Sequence, residues 1–156
     1  ETRREAVLAG ITAAPEHAVL VAVHDGARPL GSEAVITEAV TTAAACGAAA
    51  PVVPVKDSIK RIKDGNIAAD VARDTLAAVQ TPQVFRADLL RRAYEAEYRP
   101  EFTDDASVVE QAGEAVFLCE GERTNLKITT PEDMVIAEAL LAGREKTEES
   151  ADGENL

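Results

Sequence analysis

Residues 18–29 read AVLVAVHDGARP, and this stretch decides the fold. Its first six residues form an unbroken apolar run rich in β-branched side chains, the composition of a strand buried on both faces of a sheet. The run stops at His24-Asp25-Gly26-Ala27-Arg28-Pro29, which puts charged and turn-forming residues at the carboxyl end of that strand. Helical patterns flank it. Upstream, residues 4–14 (REAVLAGITAA) carry Val7, Leu8 and Ile11 at core spacing; downstream, Ser32 and Gly47 bracket a helix through Ala34, Val35, Val40 and Ala44.

The alternation continues along the chain. Residues 48–55 predict a second apolar strand, which Pro51 and Pro54 place at an edge or a bend. Residues 76–79, 115–119 and 126–129 predict short strands, and residues 86–98 a helix with Leu89, Leu90, Ala93 and Tyr94 inward. Thr103-Asp104-Asp105 opens a short helix over 106–111, and Thr130-Pro131-Glu132-Asp133 starts a last one that is expected to end at Gly143. Residues 54–75 differ: Asp64-Gly65 is a hairpin-turn dipeptide between two charged segments. Such a hairpin is marginal alone, which predicts packing against something else, a partner subunit being one candidate. The expected architecture is therefore α/β, a Rossmann-like, mostly parallel sheet with helices on both faces and a protruding hairpin. One domain covers residues 1–143, and residues 144–156 (REKTEESADGENL) read as a disordered acidic tail.

Composition narrows the function. A chain of 156 residues suits one domain, and its 46% hydrophobic content supplies a core; with 3% aromatic residues, that core must rely on close helix–sheet approach. Sixteen basic against 28 acidic residues give a net charge of −12, which opposes non-specific nucleic-acid binding but leaves room for a local cation cluster around a phosphorylated small molecule. No apolar run approaches the roughly 18 residues of a membrane span, and the charged start (Glu1 to Glu5) is unlike a secretory signal, so a cytoplasmic protein is the simplest reading. Cys46 and Cys119 lack ligand spacing and read as buried free thiols. There is no GxxxxGK[ST] loop, GxGxxG, GxSxG or HExxH.

In α/β sheets ligands lie outside the carboxyl ends of strands, where the polar motifs of this chain collect. Asp25 there suits Mg²⁺, which one or two carboxylates and substrate phosphates usually hold, and Arg28 suits bidentate phosphate contact. The same two residues read equally well as a turn cap and its ionic partner. His24 reads as an oriented or core histidine and not a ligand. Lys127, on an otherwise apolar segment, points to water, a partner or an anion; Arg73 and Thr81 flank the 76–79 strand within reach of a phosphate.

Taken together, five collinear segments resemble the 2-C-methyl-D-erythritol 4-phosphate cytidylyltransferases of the non-mevalonate isoprenoid pathway. They are Val23 to Pro29 (VHDGARP), Pro54 to Lys60 (PVKDSIK), Gln80 to Phe85 (QTPQVF), Thr103 to Glu110 (TDDASVVE) and Asn125 to Asp133 (NLKITTPED). The resemblance implies transfer of CMP from CTP to methylerythritol phosphate with release of pyrophosphate, in a homodimer interlocked by the 54–75 arm. It implies Asp25 as the Mg²⁺ ligand, Lys127 on the substrate phosphate from one subunit and Arg73 reaching it from the partner. Arg28, Ser58, Thr81, Thr103 and Thr129 are implied in the sugar-phosphate pocket. Ala6 falls beside the cytosine, where the family often carries serine, and so brings no hydroxyl; Ser58 replaces a usual threonine and Gly26 a common alanine. The family's N-terminal glycine-rich segment has no counterpart among these residues, and the chain reads as opening on an internal helix. A ribitol-5-phosphate cytidylyltransferase and a non-catalytic dimerisation module are the alternatives.

Overall fold

The computed structural model describes residues 2–96 and 102–153. Thr2 caps α1 (Arg3–Ala13): its hydroxyl accepts from the Glu5 N–H while the Glu5 carboxylate accepts from the Thr2 N–H, a reciprocal box that uses two donors left open at a helix start. β1 (Leu20–Val23) leads to α2 (Glu33–Cys46), which begins at the Ser32 hydroxyl and ends at Gly47, whose φ of 98° a side chain would strain. Next come β2 (Ala48–Pro54), the hairpin β3 (Lys60–Lys63) and β4 (Asn66–Asp70), a 3₁₀ turn (Arg73–Thr75), β5 (Ala77–Val79) and β6 (Gln83–Arg86). The remaining elements are α3 (Ala87–Glu95), α4 (Asp105–Gln111), β7 (Phe117–Glu120) and α5 (Pro131–Gly153).

The α/β, Rossmann-like class stands, but the sheet is mixed and not mostly parallel. Its order is β1-β6-β2-β5, with β7 also on β2. β6 runs antiparallel to β1 and β2, and β5 antiparallel to β2, whereas β7 is parallel to β2. Connections explain the directions. Between β2 and β5 lies a hairpin and no crossover helix, so the chain returns antiparallel, and β6 continues the same way; between β2 and β7 the helices α3 and α4 supply a crossover.

Strand alternation sends side chains to two cores. On one face Ala48, Phe85 and the partly buried Val21 and Val23 meet Ile11, Leu89, Leu90, Tyr94 and Val109 of α1, α3 and α4. On the other, Ala49, Val84 and Cys119 meet Ala39 and Ala43 of α2, small residues that let helix and sheet approach closely. Phe85 is fully buried at the centre of the first core. Phe85→Ala is expected to cost about 3–5 kcal/mol in urea unfolding, and a loss below about 1 kcal/mol would contradict this packing.

Several local expectations change. β2 is not an edge strand: it is paired on both sides, and Pro51 falls where its neighbour switches from β6 (Ala48, Ala49) to β5 (Val52 to Pro54). Near that switch the Pro51 carbonyl accepts from the Gln80 N–H at 2.7 Å, and on the other side the β7 ladder runs through Pro51, opposite Cys119. Residues 126–129 form no strand; Ile128 makes a backbone bond to Ala27, but no ladder follows. The last helix continues past Gly143 to Gly153, since one glycine costs only about 1 kcal/mol and the Glu, Lys, Arg and Ala that follow favour helix. Positions 97 and 98 of the expected 86–98 helix and 154–156 of the expected tail lie outside the described residues.

Cys119 is buried, as expected, but Cys46 is exposed near the end of α2. Burial, with the nearby Glu38, pushes the Cys119 thiol up to about 11. A maleimide at pH 8 is expected to label Cys46 rapidly and Cys119 only after denaturation, read by peptide mapping; equal labelling in the native state would contradict the two environments.

Candidate active site

The site grows from the loop after β1. Asp25 O accepts from the Arg28 N–H at 3.0 Å, which closes the turn, and Ala27 O accepts from the Ile128 N–H at 2.8 Å. That second bond lays the 125–128 segment along the loop and brings Lys127 Nζ to 2.9 Å from Asp25 Oδ2. Arg28 lies on the same carboxylate, Nε at 3.7 Å from Oδ2, while its Nη1 donates to Asn125 O at 2.6 Å. Arg28 Nε is buried and faces only that carboxylate, just beyond hydrogen-bond distance.

Buried amides fix these pieces. Asn125 is fully buried, and its Nδ2 donates to Thr81 O at 2.9 Å and to Gln80 Oε1 at 3.3 Å. Gln80 Nε2 donates to Glu122 O at 2.7 Å, so the segment between β5 and β6 is tied to the loop after β7. The Thr81 hydroxyl accepts from the Asp25 N–H at 3.0 Å and lies 3.0 Å from His24 Nδ1. His24 Nε2 faces the Arg28 carbonyl at 3.2 Å. A carbonyl only accepts, so Nε2 carries a ring proton, and with the Thr81 hydroxyl at Nδ1 the imidazole is an oriented spacer. Gln83, also buried, donates to Asp104 Oδ2 at 2.8 Å and accepts from the Ala106 N–H at 2.9 Å, which sets the start of α4 against β6.

Burial opposes ionisation of Asp25, but the Lys127 ammonium, with Arg3 and Arg28 behind it, outweighs that and holds the carboxyl below its usual range. A carboxylate that is ionised at neutral pH beside these cations can share a cation with a phosphate ligand. Among the described residues no three His, Cys, Asp or Glu side chains gather as a metal cluster. Asp25 fits Mg²⁺ as one protein ligand of an ion whose other ligands are substrate phosphates and water.

Two cavities flank Asp25. One, of about 310 Å³, is lined by Asp25, Arg28, Thr81, Thr103 and Lys127, together with Arg3 and Asp104. The second, of about 420 Å³, runs between α1 and residues 21–26 and includes Arg3, Ala6, Gly10 and Asp25. Five of the residues singled out from the sequence thus meet in one cavity, and Ala6 lies in the next. Three do not join them. Thr129 gives its hydroxyl to Asp133 Oδ2 at 3.0 Å as part of the α5 cap, and Ser58 is exposed in the segment before β3. Arg73 donates to Lys56 O and lines a separate depression with Pro54, Lys56 and Asp74. Arg3 was not singled out in the sequence, although it lines both cavities. Its signal was the Thr2/Glu5 capping box beside it, which fixes where α1 begins.

Such a sheet, with a carboxylate, a lysine and an arginine converging past the end of one strand, defines an α/β protein with a charged site at the strand's carboxyl end. The family profile described as "IspD: 2-C-methyl-D-erythritol 4-phosphate cytidylyltransferase" matches residues 1–143, and the chain belongs to that family. It is 47% identical over 148 residues to a 2-C-methyl-D-erythritol 4-phosphate cytidylyltransferase of Bacillus licheniformis, covering 94% of this chain and 64% of the relative. A Bacteroides fragilis protein of the same name is 48% identical over 122 residues, 78% of this chain and 55% of the relative. The crystal structure of 2-C-methyl-D-erythritol 4-phosphate cytidylyltransferase from Thermus thermophilus superposes with a TM-score of 0.79 at 39% identity, over 90% of this chain and 70% of that one. That of 4-diphosphocytidyl-2C-methyl-D-erythritol synthase from Anaerococcus prevotii gives 0.82 at 32% identity, over 91% and 67%. The chain therefore spans less than two thirds of the length of these curated relatives.

Proposed function

We propose that this chain carries the sugar-phosphate side, and part of the nucleotide side, of a cytidylyltransferase that joins CTP to 2-C-methyl-D-erythritol 4-phosphate and releases pyrophosphate. The observation that carries the reading is the meeting of Asp25, Arg28, Thr81, Thr103 and Lys127 around one cavity that adjoins a second beside Ala6. An oxygen of the sugar phosphate attacks the α-phosphorus of CTP, the bond from that phosphorus to the β-phosphate oxygen breaks, and pyrophosphate leaves. The attacking oxygen is already anionic, so no general base is needed, and the protein supplies alignment and positive charge. Lys127 offers a mobile ammonium and Arg28 a fixed guanidinium to the sugar phosphate; the Thr103 hydroxyl borders the same cavity. Asp25 would hold Mg²⁺, which when bound offsets phosphate charge. The family membership and the identity of 47% to the Bacillus licheniformis relative support the substrate pair.

The homodimer belongs to the same proposal. β3 and β4 form a sheet of their own, with Ile62 and Ile67 exposed at 78% and 70%, and Arg73 follows at the arm's base, outside the Lys127 cavity. An arm reaching a second subunit would cover those residues and bring Arg73 to the partner's sugar phosphate. Lys127→Ala and Arg73→Ala proteins, each nearly inactive, are expected to regain a sizeable fraction of activity when co-refolded, because mixed dimers contain one intact shared site. No recovery would place Arg73 and Lys127 in one subunit's site or remove Arg73 from the chemistry. A cytoplasmic location follows from the proposed use of CTP, a cytoplasmic metabolite.

Pyrophosphate release from CTP by the full-length gene product, assayed separately with methylerythritol phosphate and ribitol 5-phosphate, tests the reading. Release with the first and little with the second is expected. Preference for ribitol phosphate would replace the substrate, and no release with either would favour a non-catalytic dimerisation module.

A further inference from the structure

Arg3 lies at the first turn of α1, and its guanidinium is held by a fork: Nη1 donates to Asp105 Oδ1 at 3.2 Å and Nη2 to Asp105 Oδ2 at 2.5 Å. Asp105 is fully buried, and Tyr94 O–H donates to its Oδ1 from α3. Burial, and the bond to Asp105, push the Tyr94 phenol well above its usual range, so it stays a donor at any physiological pH.

A buried ion pair is a poor source of stability, because apolar side chains of similar size commonly do as well. What the pair does achieve is orientation. Asp105 engages two of the five guanidinium N–H donors, and the others have no partner among the described residues. The Arg3 side chain stays 42% exposed and lines both cavities, as well as a smaller one beside Tyr94 and Asp104, so a ligand at the border between the proposed sugar-phosphate and nucleotide spaces is within its surroundings. Asp25 lines both cavities as well, and Arg3 contributes to the field that keeps it ionised.

We infer that Arg3, aimed by the buried Asp105 and Tyr94, is a further phosphate-binding residue, placed to contact the phosphate that passes between the two cavities. The inference rests on the cytidylyl-transfer reading for the identity of that phosphate, but not for the anion site itself. A planar fork set by one carboxylate presents its remaining donors in a fixed direction, which suits a phosphoryl group whose charge spreads over several oxygens. Asp105 acts through Arg3 and is a positioning residue.

Arg3→Met alone would strand the buried Asp105 carboxylate, so the informative variant is the pair Arg3→Met with Asp105→Asn. It removes one positive and one negative charge, leaves the net charge unchanged, and keeps a side chain for Tyr94 to bond. Arg3→Lys retains a cation for Asp105 and loses only the fork. Calorimetric titration of the full-length protein with inorganic pyrophosphate, and separately with CTP, is the test. The double variant is expected to bind both at least tenfold more weakly than wild type, with its thermal midpoint within a few degrees, and Arg3→Lys at least threefold more weakly. A folded double variant within twofold of wild type for pyrophosphate would overturn the inference; if it does not fold, Arg3→Lys with unchanged affinity overturns it. A wild type that binds pyrophosphate but not CTP would refute the cytidylyl reading, and Arg3 would still be judged on pyrophosphate. A wild type that binds neither overturns both.

Discussion

Lys127→Ala in the full-length protein is expected to lower kcat/KM for methylerythritol phosphate by at least a hundredfold while leaving the thermal midpoint within a degree or two. The ammonium is 2.9 Å from Asp25, and its side chain is 48% exposed and lines the cavity. An ion pair exposed on its lysine side contributes little to folding, about 1 kcal/mol, and Arg28 and Arg3 remain to offset the half-buried Asp25 charge, so stability registers its loss weakly. Turnover registers it strongly. Removing one donor to developing charge in a preorganised site typically costs about 2.7–4 kcal/mol, or a factor of 10² to 10³. The two magnitudes separate a phosphate-binding lysine from a solvated one: a rate within threefold of wild type would return Lys127 to the surface.

Asp25→Asn is expected to have the second large effect, again at least a hundredfold, accompanied by a higher Mg²⁺ requirement. The amide keeps the backbone contact to Thr81, because that bond uses the Asp25 N–H and not its side chain. What disappears is the negative charge that holds Lys127 in place and would carry the metal. The pH dependence has a defined sign. Burial raises the Asp25 pKa, but Lys127, Arg3 and Arg28 lower it further, so the folded value lies below the unfolded one of about 3.9. The stability contributed by this group is present above the unfolded value and lost as pH falls through the folded one. Between pH 5 and 8 Asp25 should therefore add no inflection to activity or stability, and a wild-type acid limb near pH 6 that vanishes in Asp25→Asn would contradict its environment.

Much of this arrangement was legible in the residues. The apolar run ending at His24-Asp25, the Ser32 and Gly47 boundaries of α2 and the Asp64-Gly65 turn each rest on a local rule, and each holds: Asp64 and Gly65 both adopt positive φ, 51° and 78°. Strand direction was not legible, because it depends on whether a connection contains a crossover helix that packs on the sheet, which is a property of several elements at once. Pro51 misled for the same reason: proline marks an edge only if the strand has one neighbour per side along its length, and β2 changes neighbour at that residue. At the site, the position of Asp25 and Arg28 after a strand left two readings open, a ligand-facing pair or a turn with its ion pair; the structure shows the turn and the ion pair, at the edge of a cavity. Arg3 was hidden because its importance comes from Asp105, far along the chain and adjacent to a motif that otherwise reads as a helix cap. Thr129 was implied only by the resemblance; in the structure its hydroxyl goes to Asp133, four residues on, as part of the helix cap.

The central claim is that this chain belongs to a site where the α-phosphate of CTP is transferred to a sugar phosphate. Phosphorus-31 NMR of the full-length protein with CTP, methylerythritol 4-phosphate and Mg²⁺ reads that bond directly. The account predicts loss of both substrate signals and matched growth of free pyrophosphate and one coupled diphosphate pair, all abolished by Lys127→Ala. Persistence of the sugar phosphate signal while CTP is hydrolysed, or no change in either, would contradict it.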